Sequence, residues 1–212
     1  DAFNATDPNG RRFRSVRGVP VLRREPPRLE EISKSHATPD ISIDQIEHMC
    51  SRPGYTLLLG GGNTKFSHSN VVDVEFNLYT NTDVVADAHG LPFKSNTFDL
   101  FFAMNVFEHL RQPFIAADEV LRVLKPGGKL HIHTAFLQPL HEEPIHFFNA
   151  TEFGAREWLK SFEHVECEVT PNFNPLYSIA WLTDEIQRPV ASEQSQSRIA
   201  AGFDFKAQKP EA

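Results

Sequence analysis

The chain has 212 residues, forty per cent of them hydrophobic, which is enough for one globular domain with a full core and a short appendage. A formal net charge of −7 argues against broad nucleic-acid binding, which works by neutralising phosphates. No apolar run approaches the roughly 20 residues that span a bilayer, and nothing resembles a signal peptide, so the expected setting is cytoplasmic and off the membrane.

The first forty residues differ from the rest. Arg11, Arg12, Arg14, Arg17, Arg23, Arg24 and Arg28 crowd a proline-rich segment with little helical periodicity. Residues 1–39 are therefore expected to be an arm draped on the domain. From Asp40 the pattern turns regular. Ile43, Ile46 and Met49 or Cys50 share one helical face, which 52-RPG-54 ends. Strands and helices then alternate, predicting a parallel sheet covered on both faces over residues 40–186. The predicted strands are Thr56–Leu59, Val71–Phe76, Asp83–Ala86, Leu100–Met104 and Lys129–Thr134. Phe114, Ala117, Val120, Leu121 and Leu124 repeat at helical spacing, Pro113 suits the first turn, and Pro126-Gly127-Gly128 stops the helix. Thr151 is expected to cap a second helix that buries Ala155, Trp158, Leu159 and Phe162. Residues 187–212, rich in Ser, Gln, Ala and Lys, read as a flexible tail.

The run 57-LLLGGGNTKFSHSNVVDVEF-76 raises the first functional question. Glycines directly after a strand let a ligand approach the backbone closely. A phosphate-binding P-loop needs Lys followed by Ser or Thr after its last glycine, and Asn63 and Thr64 stand here instead. The dinucleotide fingerprint needs a third glycine where Lys65 stands, which also speaks against a nicotinamide oxidoreductase. The pair in 141-HEEPIH-146 lacks the i, i+4 spacing of a helical zinc site, Pro144 interrupts it, and no metal is expected. Cys50 and Cys167 are too few for a disulfide framework, so a reducing compartment is the default.

Taken with 83-DVVADAHGLPF-93, 96-NTFDLFFAMNVFEHL-110 and 119-EVLRVLKPGGKLHIH-133, the glycine run resembles a class I S-adenosylmethionine-dependent methyltransferase. The resemblance is to the compact small-molecule branch and covers about residues 55 to 165. It implies a Rossmann-like, mostly parallel sheet with a final antiparallel strand, and S-adenosyl-L-methionine held across the carboxyl ends of the first strands. It places Gly60, Gly61 and Gly62 at the methionine and ribose portion of the cofactor. Glu75 would accept from both ribose hydroxyls, with Asp73 on the same strand face as the rival. Asp87 would accept from the adenine amino group while the Ala88 amide donates to a ring nitrogen. Asn105 and Val106 would wrap the methionine part.

Several positions have a plainer alternative: Glu75 as an exposed strand-end acid, Asp87 as a turn cap, Asn105 as a helix cap. The acceptor is expected to be a small molecule or saccharide, with His141, and then His109, as candidate bases. His146 lies in the same loops, while His131 and His133 alternate along a strand and read as core. The resemblance also has gaps. Leu58 stands where the family commonly has an acid, Thr64 replaces a glycine, and Asn77 to Thr82 is too short for the usual helix. A non-catalytic domain that keeps the fold for binding or scaffolding is the alternative these gaps leave. The 12-RFRSVRGVPVL-22 stretch further resembles the last strands of zinc-ribbon modules that accompany methyltransferases, without their cysteines.

Overall fold

The computed structural model describes residues 14–23, 53–62, 68–138, 144–169 and 202–211, with residues 48, 50, 51 and 179 singly. Nine strands form one sheet: β1 (Arg14–Val16), β2 (Val19–Val21), β3 (Thr56–Leu59), β4 (Val71–Glu75), β5 (Val84–Val85), β6 (Phe98–Met104), β7 (Leu124–Ala135), β8 (Glu163–Val169) and β9 (Gly202–Gln208). Their order is β1-β2-β5-β4-β3-β6-β7-β9-β8. The middle of the sheet, from β5 through β7, is parallel, and β9 lies antiparallel between β7 and β8. The five predicted strands are all present, and β3 takes the centre.

Helix α1 (Pro113–Val123) starts on Pro113, whose missing amide costs nothing in the first turn. Helix α2 (Glu152–Trp158) is capped as expected, with Thr151 Oγ1 accepting from the Gly154 amide at 3.1 Å. Ala117 and Val120 of α1 and Ala155, Trp158 and Leu159 of α2's stripe pack with Leu57, Val74, Phe101, Leu130 and Phe205 in one main core. The α1 helix ends before Pro126, since a residue preceding proline is pushed out of helical conformation. The next residues are extended. Gly127 takes φ +72°, and its amide donates to the Lys209 carbonyl at 3.1 Å.

Two expectations about the chain ends are corrected. The supposedly flexible tail supplies β9 with residues 202–208, and residues 187–201 lie outside the described ones. In 202-GFDFKA-207 apolar and polar residues alternate, so Phe203, Phe205 and Ala207 bury one face while the backbone satisfies two neighbours. The N-terminal arm is not wholly solvated either. Residues 14–21 form a hairpin whose β2 joins β5, and Val21 packs with Leu78 and Val85 in a small core. The predicted helix over 43–50 falls almost entirely outside the described residues.

Candidate functional site

The parallel strands direct their carboxyl ends to one edge, where most of the expected site residues gather. Gly60 follows β3 and donates to the Val74 carbonyl at 3.0 Å. It has φ +78°, and a side chain there would collide with Val106, which follows β6. The glycine loop and the Asn105-Val106 turn are thus in contact. Gly62 has φ +59° and donates its amide to Glu75 Oε1. Glu75 is 6% exposed, and burial pushes its carboxyl up to about 7 despite that bond. Asp73 is equally buried, and it lies beneath Gly61. Burial first, then the neighbouring Glu75 and Asp83, hold its carboxyl well above the usual carboxylate range.

Asp87 opens the turn after β5, with its side chain about half exposed. Its Oδ1 accepts from the His89 amide at 2.9 Å and lies 2.6 Å from His89 Nδ1. The Gln112 amide donates to His89 Nε2 at 3.2 Å, which leaves Nδ1 as the ring's donor to Asp87. Asp87 therefore does cap the local turn, and both bonds fall on one oxygen. Ala88 beside it is buried. The connection 76–83 before this turn contains no helix, as its length predicted. Arg23 from the N-terminal hairpin lies over the Phe76 ring there, 4.0 Å from its centroid.

Asn105 adopts φ +52°, a conformation that Asn tolerates better than most residues. Its Oδ1 lies 2.7 Å from His133 Nδ1, and its amide donates to the His133 carbonyl at 3.2 Å. It is not a helix cap, because the short 3-10 turn Phe107–His109 has Val106 at that position. His133 serves the site by holding this turn, and His131 pairs with Asp204 at 3.1 Å in the sheet interior. Both histidines are buried, as read from the sequence.

His109 donates through Nδ1 to the Ile145 carbonyl at 3.1 Å, which directs a neutral ring's lone pair to Nε2. Its ring meets that of His146 at 5.5 Å between centroids. His141 lies outside the described residues. Among the described residues no group of three or more His, Cys, Asp or Glu could hold a metal, and no helix is long and apolar enough to cross a membrane.

Two features escaped sequence reasoning. Glu108 is fully buried, accepts from Thr134 Oγ1 at 3.3 Å, and is pushed up to about 8 by burial. Its carbonyl takes the amides of Phe147 and Phe148, so it ties the segment after β7 to the turn after β6. Arg122 donates to the carbonyls of Leu91 and Phe93 at 2.8 and 2.7 Å, while Glu119 accepts from the Leu91 amide at 2.8 Å. This clamp ties the Leu-Pro-Phe stretch to the Glu-x-x-Arg turn of α1. The groove lined by Pro53, Thr56, Asp99, Lys125 and Gly127 opens at the opposite edge of the sheet and plays no part here.

The strand order, the reversed β9 and the glycine loop over two strand-end acids define a class I methyltransferase fold. Residues 63–132 match the family described as methyltransferase domain. It is similar to a ubiquinone/menaquinone biosynthesis C-methyltransferase of Ruegeria sp., 45% identical over 49 residues, which are 23% of this chain and 20% of that one. An uncharacterized methyltransferase of Mycolicibacterium vanbaalenii is 41% identical over 79 residues, 37% of this chain and 28% of its own. A solved structure of an S-adenosylmethionine-dependent methyltransferase, a possible histamine N-methyltransferase of Thermotoga maritima, shares the fold at TM-score 0.55 and 18% identity. That match covers 79% of this chain and 87% of that one. The chain spans about a fifth to a third of the length of the curated relatives it matches.

Proposed function

We propose that the protein transfers a methyl group from S-adenosyl-L-methionine to a small-molecule or saccharide-like acceptor. The observation that carries this reading is the contact of the glycine loop with Glu75 and Val106, at the carboxyl ends of β3, β4 and β6. Glu75 would hold the ribose, Asp87 and Ala88 the adenine edge, and Asn105 and Val106 the amino-acid end. When bound, the cofactor supplies an electrophilic methyl on a sulfonium, and transfer is an in-line displacement that depends on alignment. His109 Nε2 is the described base for an acceptor hydroxyl or ammonium, oriented by the Ile145 carbonyl. His141, the first candidate from the sequence, lies outside the described residues.

Titration calorimetry with S-adenosylhomocysteine, followed by methyl transfer from labelled cofactor into a metabolite extract, tests the reading. Binding and labelled product are expected, and no binding at millimolar ligand overturns it. A non-catalytic binding domain is the second reading, supported by the helix-free 76–83 connection, which leaves the nucleoside side less enclosed. It predicts cofactor binding without turnover on any acceptor.

A further inference from the structure

Leu58 on β3 and Asp73 on β4 are partners in the parallel ladder, so their side chains leave the sheet on the same face. Both reach under Gly61. A methyl group placed on Gly61 would lie 2.7 Å from Leu58 Cδ2 and 2.9 and 3.0 Å from the two Asp73 oxygens. Asp73 is 5% exposed, and neither of its oxygens has a hydrogen-bond partner. The Gly61 amide, close by, lowers the carboxyl somewhat without making such a bond. The charged groups facing Asp73 are Glu75 on its own strand and Asp83 across the turn, whose Oδ2 already accepts the Asp73 amide at 2.9 Å. A buried carboxyl in acidic company with two open oxygens is an acceptor awaiting a strong donor.

We propose that Asp73 accepts the ammonium group of the cofactor's amino-acid end, a role that rests on the cofactor reading above. The sulfonium carries no N–H and cannot donate. The ribose hydroxyls and the adenine edge have Glu75 and Asp87. The ligand's own carboxylate would find no cation among Asp73, Glu75 and Asp83. The ammonium is the remaining donor, and its charge suits three neighbouring acids. Leu58 leaves β3 with no side-chain acceptor at this level, so the carboxylate arrives from the neighbouring strand in the same register. On binding, any proton held by the Asp73 carboxyl leaves to solvent and the ion pair forms, with no other bond changed.

Calorimetry on the full chain with two ligands tests this. S-adenosylhomocysteine carries the amino-acid end, while 5′-methylthioadenosine shares the nucleoside and thioether but lacks the ammonium. Asp73→Asn should weaken the first ligand by about tenfold to hundredfold and leave the second within about twofold. Glu75→Gln should weaken both. Equal effects of Asp73→Asn on the two ligands, or none on either, overturn the role of Asp73 while the cofactor reading stands. Failure of the parent protein to bind either ligand overturns the cofactor reading itself. Should Asp73→Asn not fold, the parent decides with a ligand that differs only at the proposed contact. S-adenosylhomocysteine lacking its amino group but keeping its carboxylate should bind about tenfold or more weaker than S-adenosylhomocysteine, and equal affinity overturns the proposal.

Discussion

Thr134 on β7 donates to Glu108 Oε2 at 3.3 Å, and the other carboxyl oxygen of Glu108 is buried with no hydrogen-bond partner. The pair joins the turn after β6 to the interior of β7 at the edge where the site is built. Burial raises Glu108 from 4.5 to about 8, so the folded protein binds a proton there that the unfolded chain has lost. Its contribution is fully present below about pH 4.5 and is lost as pH rises through about 8. Urea unfolding should therefore show stability declining across that window. Glu108→Gln keeps the volume and should flatten the decline by roughly 3–5 kcal/mol at most. An unchanged slope in the variant would assign the pH dependence to other groups.

The Arg122 clamp yields a second expectation. One guanidinium holds two carbonyls of the 91–93 turn and the Glu119 carboxylate. A lysine has the charge but not the fork. Arg122→Lys should destabilise the fold by about 1–2 kcal/mol, a range lowered for its partial exposure, and should also loosen the Asp87 turn that precedes it. A thermal midpoint equal to that of the parent would show that packing alone holds the turn.

Asn105 separates backbone strain from side-chain bonding. At φ +52° an alanine is strained, and Asn105→Ala should cost roughly 1–3 kcal/mol. Asn105→Gly removes the strain but also the contact to His133 Nδ1. The glycine variant should thus recover most of the stability without recovering cofactor affinity. Matching behaviour of the two variants in both assays would show that the His133 contact carries no weight.

Asp87→Ala should weaken cofactor binding by about 1–3 kcal/mol through the lost adenine contact. Because Asp87 also accepts the His89 amide, a smaller loss of stability should accompany it, within about 1 kcal/mol. Unchanged affinity would mean that the adenine is held elsewhere.

The central strands were legible in the sequence because each is a short apolar run ending at glycine, acid or turn residues. The register that sets Leu58 beside Asp73 was not, because parallel pairing depends on contacts between segments far apart in the chain. Strand β9 was missed because its five-residue alternation sits among Ser, Gln and Ala, and composition over a longer window hides a period of two. The hairpin β1–β2 lies within 12-RFRSVRGVPVL-22, whose likeness to zinc-ribbon strands pointed to it, while the arginines favoured the reading of a draped arm. Glu108 carried no signal in the sequence. Its burial arises from the segment 144–148 folding back onto it, which nothing local announces.

Glu75 gives the last prediction, since its ionisation and its ligand are coupled. The Gly62 amide already donates to Oε1, and burial raises the carboxyl to about 7. A ribose offers two hydroxyl donors that a carboxylate accepts better than a neutral acid does. Nucleoside binding should therefore favour the ionised form and release a proton below that pH. The affinity of 5′-methylthioadenosine, a ligand without the amino-acid end, should rise as pH is raised toward about 7 and level off above it. The slope should approach about tenfold per unit at its steepest. Glu75→Gln keeps the shape, removes the titration, and should lower affinity by roughly 1–3 kcal/mol at pH above that range. Its affinity should be flat with pH. If the variant keeps the parent's pH profile, the titrating group is another one, and Asp73 on the same face is the next to test.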